Sequence, residues 1–187
     1  ENKLRKQEEE RFQDYGSYLR SLDMKARIHP FQEAEWNRIF QLVQKSNQFN
    51  LTTKRYTMNE IQEMSKSPDY MTLSGRLRDR FGDNGIVSLI VVQKEDETAH
   101  IRLWVMSCRV LGRNMEYAMF DALLVRCRQC GIRKIKGYYF PTDKNGLVKD
   151  LFQRLGFEHE DGCIWCYDIP KAGGEMNEYI AIQEEGD

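Results

Sequence analysis

The chain has 187 residues, of which 41% are hydrophobic and 30% charged, with a formal net charge of −1 and five cysteines. That length suits one domain with tails. The balanced charge gives no case for nucleic acid as a partner, and the longest apolar run, around Ile86 to Val92, is far too short to span a membrane. An odd cysteine count without a secretory signal points to reduced thiols in a cytoplasm, and the initial Glu1 leads us to expect a piece of a longer polypeptide.

Residues 1–25 are charged, with Phe12, Tyr15, Leu19 and Leu22 on one helical stripe. They read as a helical connector from a preceding domain, or as a solvated helix packed on its own domain. Ala26 to Ile28 suits a short first strand. Pro30 opens a helix to Lys45 with Trp36, Ile39, Phe40 and Val43 on its buried face. A polar segment, Ser46 to Tyr56, precedes a second short helix through Met64, capped by Thr57 or Asn59. The two asparagines of that segment, Asn47 and Asn50, suit local bonds from side chain to backbone that shape the loop.

Three strands follow, Tyr70 to Leu77, Gly85 to Val92 and Ala99 to Ser107. Their short connections make an antiparallel meander, with a hairpin signal at Asp83-Asn84-Gly85. A long helix, Met115 to Cys130, leads to a strand, Ile132 to Phe140, so these last two strands run parallel across a crossover. A short amphipathic helix, Asn145 to Phe157, and a strand at Ile164 to Ile169 complete the set. The acidic tail, 170–187, is expected to be mobile apart from an edge strand near Tyr179, Ile180 and Ile182. Leu103, Val105, Leu123, Leu124, Ile135 and Leu151 are the expected core.

The turn Cys108-Arg109-Val110-Leu111-Gly112-Arg113-Asn114 joins an apolar strand to the long helix. A helix N-terminus leaves backbone N–H groups without partners and adds partial positive charge. Gly112 permits close backbone approach, so the turn is a candidate phosphate site as well as an ordinary connection. Cys108 beside it is a candidate nucleophile or a core cysteine of the strand. The pairs Cys127/Cys130 and Cys163/Cys166 invite a zinc reading. Residues three apart on a strand face opposite sides, however, and cysteine as a small buried hydrophobe accounts for all four. We expect no metal.

The turn, with Arg109, Gly112 and Asn114 in its key places, and the later run with Asn145, Val148, Phe152, Gly156 and Phe157 together resemble the acyl-CoA N-acyltransferase superfamily, GNAT. The segments Asn47–Tyr56, Asp79–Gly85, Ser107–Arg113 and Pro141–Gly146 look like the C-terminal domain of FkbH-like proteins. Those proteins join a haloacid-dehalogenase (HAD)-type phosphatase domain to a GNAT-like domain and load a glyceryl unit onto an acyl carrier protein.

The resemblance implies an α/β fold with a mixed, mainly antiparallel sheet, and a GNAT-like acyltransferase domain over 26–169. Its polyketide-type carrier chemistry implies acyl-CoA or a phosphopantetheine thioester as cofactor, and an acyl carrier protein and the phosphatase domain as partners. The thioester's arm is expected between the splayed parallel strands. Arg109, Val110, Leu111, Gly112, Arg113 and Asn114 would hold its phosphate, and Asn145 and Phe152 would flank its thiol end. Cys108 and Asn145 are the candidate catalytic residues, and Asn47, Asn50, Thr53 and Arg55 the candidate acceptor contacts. Lys144, Lys149 and Arg154 offer a positive rim for a carrier protein. Departures from the family pattern are expected to weaken catalysis: Phe152 stands where a tyrosine acid is frequent, Arg102 where an acidic residue is expected, and Asn114 where the turn ends in glycine. A second reading is therefore a non-catalytic docking module for a carrier protein or the phosphatase domain.

Overall fold

The computed structural model describes residues 2–169 and 175–183; of the tail, 170–174 and 184–187 lie outside the described residues. The charged N-terminal stretch forms two helices rather than one, α1 (Asn2–Glu9) and α2 (Tyr15–Ser21). Asp14 breaks the run because its carboxylate accepts the Ser17 N–H at 2.8 Å and caps α2. Then come β1 (Met24–His29), α3 (Trp36–Lys45), the two-residue β2 (Phe49–Asn50) and α4 (Met58–Lys66). A 3-10 turn, Glu33–Glu35, replaces the first turn expected for α3. Thr57 caps α4 in a reciprocal box with Glu60.

The meander is β3 (Tyr70–Asp79), β4 (Gly82–Glu95) and β5 (Thr98–Met106). Helix α5 (Met115–Gln129) crosses to β6 (Lys134–Tyr138), followed by α6 (Leu151–Arg154), β7 (Glu158–Asp161), β8 (Ile164–Asp168) and β9 (Ile180–Ile182). Strand order is β7-β8-β6-β5-β4-β3-β1-β9. The expected parallel pair is present between β5 and β6, in register at Thr98–Lys134, Ala99–Ile135 and His100–Lys136. A second parallel pair joins β1 to β9, the short edge strand; the other pairings are antiparallel.

The β3–β4 hairpin turns at Arg80-Phe81, earlier than the Asp83-Asn84-Gly85 signal placed it, because Asp79 pairs with Gly82. Asp83 instead accepts the Gly85 N–H at 2.7 Å. With Gly85 at φ 69°, the register of β3 against β4 shifts beside it.

Both sheet faces are covered. Ile39, Leu42, Val43, Ile61 and Met64 of α3 and α4 pack on Leu89, Val91, Leu103 and Val105. Leu19 of α2 and Ala118, Met119, Phe120 and Leu123 of α5 pack in the cluster that holds Val87, Ile90, Ile101 and Trp104. This two-sided burial explains why Ile86 to Val92 reads as a nearly continuous apolar run, broken only by Ser88. All six expected core residues are buried, and each such side chain contributes about 1.5–3 kcal/mol of transfer free energy.

Candidate functional site

The site is built where β5 and β6 diverge. They pair only as far as His100–Lys136. Beyond that point β4 still holds one edge of β5, matching Leu89 to Val105 and Ser88 to Met106, while β6 leaves the other edge. Strand β2 takes the vacated edge, with Phe49 opposite Met106 and Asn50 opposite Val105. Thr52 continues the contact by donating its hydroxyl to the Arg102 carbonyl at 3.0 Å. From the far side the Phe140 N–H donates to the Leu51 carbonyl at 2.9 Å. Residues 49–52 therefore sit inside the fork, bonded to both arms.

Asn145 locks this insertion. It is fully buried, and its amide nitrogen donates to the carbonyls of Asn50 and Phe140, both at 2.9 Å. Its carbonyl oxygen accepts the Thr142 N–H at 2.7 Å. Asn50 is also fully buried, bonded to the Ser46 carbonyl and the Thr53 N–H, which lets Thr53 hold a left-handed φ of 59°. Arg55 clamps the end of α3, donating to the Val43 and Ser46 carbonyls and to the Asn47 side chain. The four acceptor candidates thus come together, and the bonds of Asn50 and Arg55 shape the loop. Phe152 is buried against Phe157, Trp165 and Gly137.

The turn stands at the outer end of the fork. Val110 is buried, and Arg109 is exposed, with long contacts to the Asn84 carbonyl at 3.4 Å and the Ser107 hydroxyl at 3.5 Å. Arg113 points inward, 6% exposed, to Asp79 at 3.0 Å and to the Arg109 carbonyl at 2.8 Å. Asp79 is held on its other side by Arg5 of α1. Burial pushes the Asp79 carboxyl up, but the bonds from Arg5 and the Phe81 N–H, with Arg113, outweigh it and hold the group below the usual aspartate value. Gly112 takes φ 79°, and its carbonyl accepts the Tyr15 hydroxyl at 2.7 Å. Asn114 is left-handed at φ 62° and makes no side-chain cap bond, so it does not compete for the helix N–H groups. Cys108 is exposed rather than a core cysteine; it lines a cavity of about 530 Å³ with Arg38, Lys45 and Arg109. Burial pushes the Cys127 thiol up to about 12.

The fit of a thioester differs along its length. Among the described residues the amides of Gly112, Asn114, Met115 and Glu116 have no acceptor, and a cleft of about 370 Å³ runs from them to Phe49. The same cleft carries the carboxylates of Glu116 and Asp150. Glu116 is 6% exposed, with one oxygen bonded to Arg154 at 3.4 Å and the other unpartnered. Lys144 and Lys149 are exposed. Further in, residues 49–52 fill the space between β5 and β6 where the arm was expected, so an arm does not fit there while β2 is in place.

One group of residues, Arg102 apart, escaped the sequence reading. A second cavity, about 420 Å³, is lined by Thr52, Tyr56, Tyr70, Gln93, Arg102 and Tyr138 among others. Tyr138 bonds His100 Nδ1 at 2.7 Å, and His100 Nε2 lies 3.3 Å from Glu95. The alternating positions of His100 and Arg102 on β5 were the only local signal; the partner on β6 is distant in sequence.

This architecture is that of the GNAT N-acetyltransferases. The ribosomal-protein-S18-alanine N-acetyltransferase from Escherichia coli superposes with a TM-score of 0.60 at 11% identity, over 82% of this chain and 99% of that one. Ard1 from Thermoplasma volcanium gives 0.59 at 17%, over 78% and 99%. The PaiA N-acetyltransferase from Thermoplasma acidophilum, solved in complex with coenzyme A, gives 0.56 at 14%, over 76% and 96%. No family model matches the sequence, and a sequence search of curated proteins gives no match. Among the described residues no helix is long and apolar enough to cross a membrane.

Proposed function

We propose that the chain is the GNAT-fold half of an FkbH-like protein and serves there as a docking module, for an acyl carrier protein or for the HAD-type phosphatase domain, rather than as a consumer of acyl-CoA. The observation that carries this reading is the filled fork: Phe49 to Thr52 bond to β5 and to Phe140, just beyond the end of β6. Phe152 and Arg102, at positions where the family pattern expects a proton donor and an acidic group, support it. On this reading the N-terminal helices lead from the phosphatase domain, and a cytoplasmic acyl-loading step on the carrier is the process served.

The experiment is a calorimetric titration of the chain with apo carrier protein, holo carrier protein and acetyl-CoA. Docking predicts equal binding of the apo and holo carriers, because the phosphopantetheine arm is not read, and no binding of acetyl-CoA. If the carriers are silent, the phosphatase domain titrated in their place must bind. Binding of acetyl-CoA, with the apo carrier silent, would overturn the docking reading.

That outcome would support a second reading, an acyltransferase whose thioester phosphate sits on the turn. The unpartnered amides at Gly112 and Asn114 to Glu116 favour it. Phe49 to Thr52 would then have to leave the fork, and Phe49→Gly should tighten acetyl-CoA binding.

A further inference from the structure

Tyr138, on the wall of the cavity beside the fork, ends a hydrogen-bonded series of ionisable groups that runs back through His100 to Glu95 and that neither reading uses. Glu95 stands at the end of β4, His100 on β5 and Tyr138 on β6, so the sheet itself fixes their order. An ionised carboxylate only accepts hydrogen bonds, so the Glu95 contact sets His100 as the tautomer with hydrogen on Nε2. Nδ1 is then an acceptor, and the Tyr138 hydroxyl donates to it at 2.7 Å. The phenol proton has a place to go, while the oxygen lone pairs remain for a molecule in the cavity. Arg102 lines the same space, its guanidinium 5.3 Å from the centre of the Tyr138 ring and its Nε bonded to the neutral Gln93 at 3.0 Å. Among the described residues it makes no ion pair. Lys54 lines the cavity as well, with its ammonium over the Tyr56 ring.

We propose that this cavity is an acid–base site for a small anionic molecule, in which Arg102 holds the anion and Tyr138 is the reacting phenol, its proton passing to His100 oriented by Glu95. Glu95, His100, Arg102 and Tyr138 stand on β4, β5 and β6, outside the segment Phe49 to Thr52, so the proton path does not depend on which reading of the fork holds. Burial, with Arg102 and Lys136 adding and Glu95 opposing, holds His100 below the usual histidine value. The imidazole is therefore neutral, and able to accept, at neutral pH.

The test is chemical labelling of the intact chain with N-acetylimidazole, read residue by residue by mass spectrometry. In the labelling step the Tyr138 oxygen attacks the acetyl carbonyl and the bond from carbonyl carbon to imidazole nitrogen breaks. The phenol proton moves to His100 Nδ1 and from there to the departing imidazole. Tyr138 should label fastest, and His100→Gln should slow it by on the order of 100-fold, the lower end of what a positioned proton acceptor gives. Tyr15, exposed and outside the cavity, is the internal control and should not change. The Tyr138 rate should fall only as pH drops below the ordinary histidine range, where His100 becomes protonated. Inorganic phosphate should protect Tyr138 in the native chain and fail to protect it in Arg102→Gln. Equal Tyr138 rates in the native and His100→Gln chains would overturn the proton path, and absence of phosphate protection would overturn the anion assignment.

Discussion

Asn145 shows how a single side chain can be prominent in a sequence for one reason and matter for another. Its place in the run ending Gly156-Phe157 marks it as a thiol-end contact, but its amide is spent on Asn50, 95 residues away, and on Phe140. No local pattern carries a bond of that separation. Asn145→Leu leaves the Asn50 and Phe140 carbonyls and the Thr142 N–H without that partner. We expect a loss of about 2–4 kcal/mol in urea unfolding, since each buried group left unpaired costs about 1–3 kcal/mol. Gly137 is a second case: a Cβ there would lie 2.3 Å from the Phe152 ring. Gly137→Ala should cost about 1–3 kcal/mol by overpacking, and Phe152→Leu in the same chain should recover part of it, a coupling that a double-mutant cycle reads directly. Asp79 gives the pH dependence. Its carboxyl titrates lower in the folded chain than in the unfolded one, so its stabilisation is complete above the unfolded value, about 3.9, and is lost as pH falls through the folded value. Asp79→Asn should therefore be less stable than the native chain at neutral pH, with the difference shrinking in acid denaturation below about pH 4.

At the scale of elements, most of the helices and strands were legible because their periodicities are strong and their ends carry explicit chemistry. Thr57 with Glu60 is such an end, and Thr57→Ala should lower stability by about 1 kcal/mol in chemical denaturation. The misplaced features share a cause. The β3–β4 turn follows Asp79, whose position is fixed by Arg5 and Arg113 from distant parts of the chain, not by the best local turn signal. The break between α1 and α2 comes from the Asp14 cap, which outweighs the helical stripe. β2 was invisible for a further reason: two residues have no periodicity, and their strand character exists only because β6 leaves an edge of β5 unpaired.

For the whole molecule, the crossover handed down the β5–β6 parallel pair, while the order of the remaining strands depended on contacts that no spacing encodes. Early and late segments of the described residues meet at one edge of the sheet. β1 lies between β3 and β9, Arg20 stacks over Tyr179 at 5.2 Å, and Asp121 of α5 accepts the Met176 and Asn177 N–H groups. Deleting residues 2–14 takes Arg5 from the buried Asp79, which keeps Arg113 and the Phe81 N–H; losing one charged hydrogen-bond partner costs about 1.5–3 kcal/mol, a fall of roughly 5 °C in melting temperature for a chain of this size. The clasp of Asn50 and Asn145 has its own consequence, in time rather than in energy. It cannot close until β5, β6 and the Phe140–Asn145 loop are all placed, so we expect it to form in the last stage of folding, after the transition state. In stopped-flow experiments Asn145→Leu should leave the refolding rate nearly unchanged and carry almost its whole effect in faster unfolding. The clasp would then act as a kinetic latch, setting how long the native fork stays shut rather than how quickly it forms.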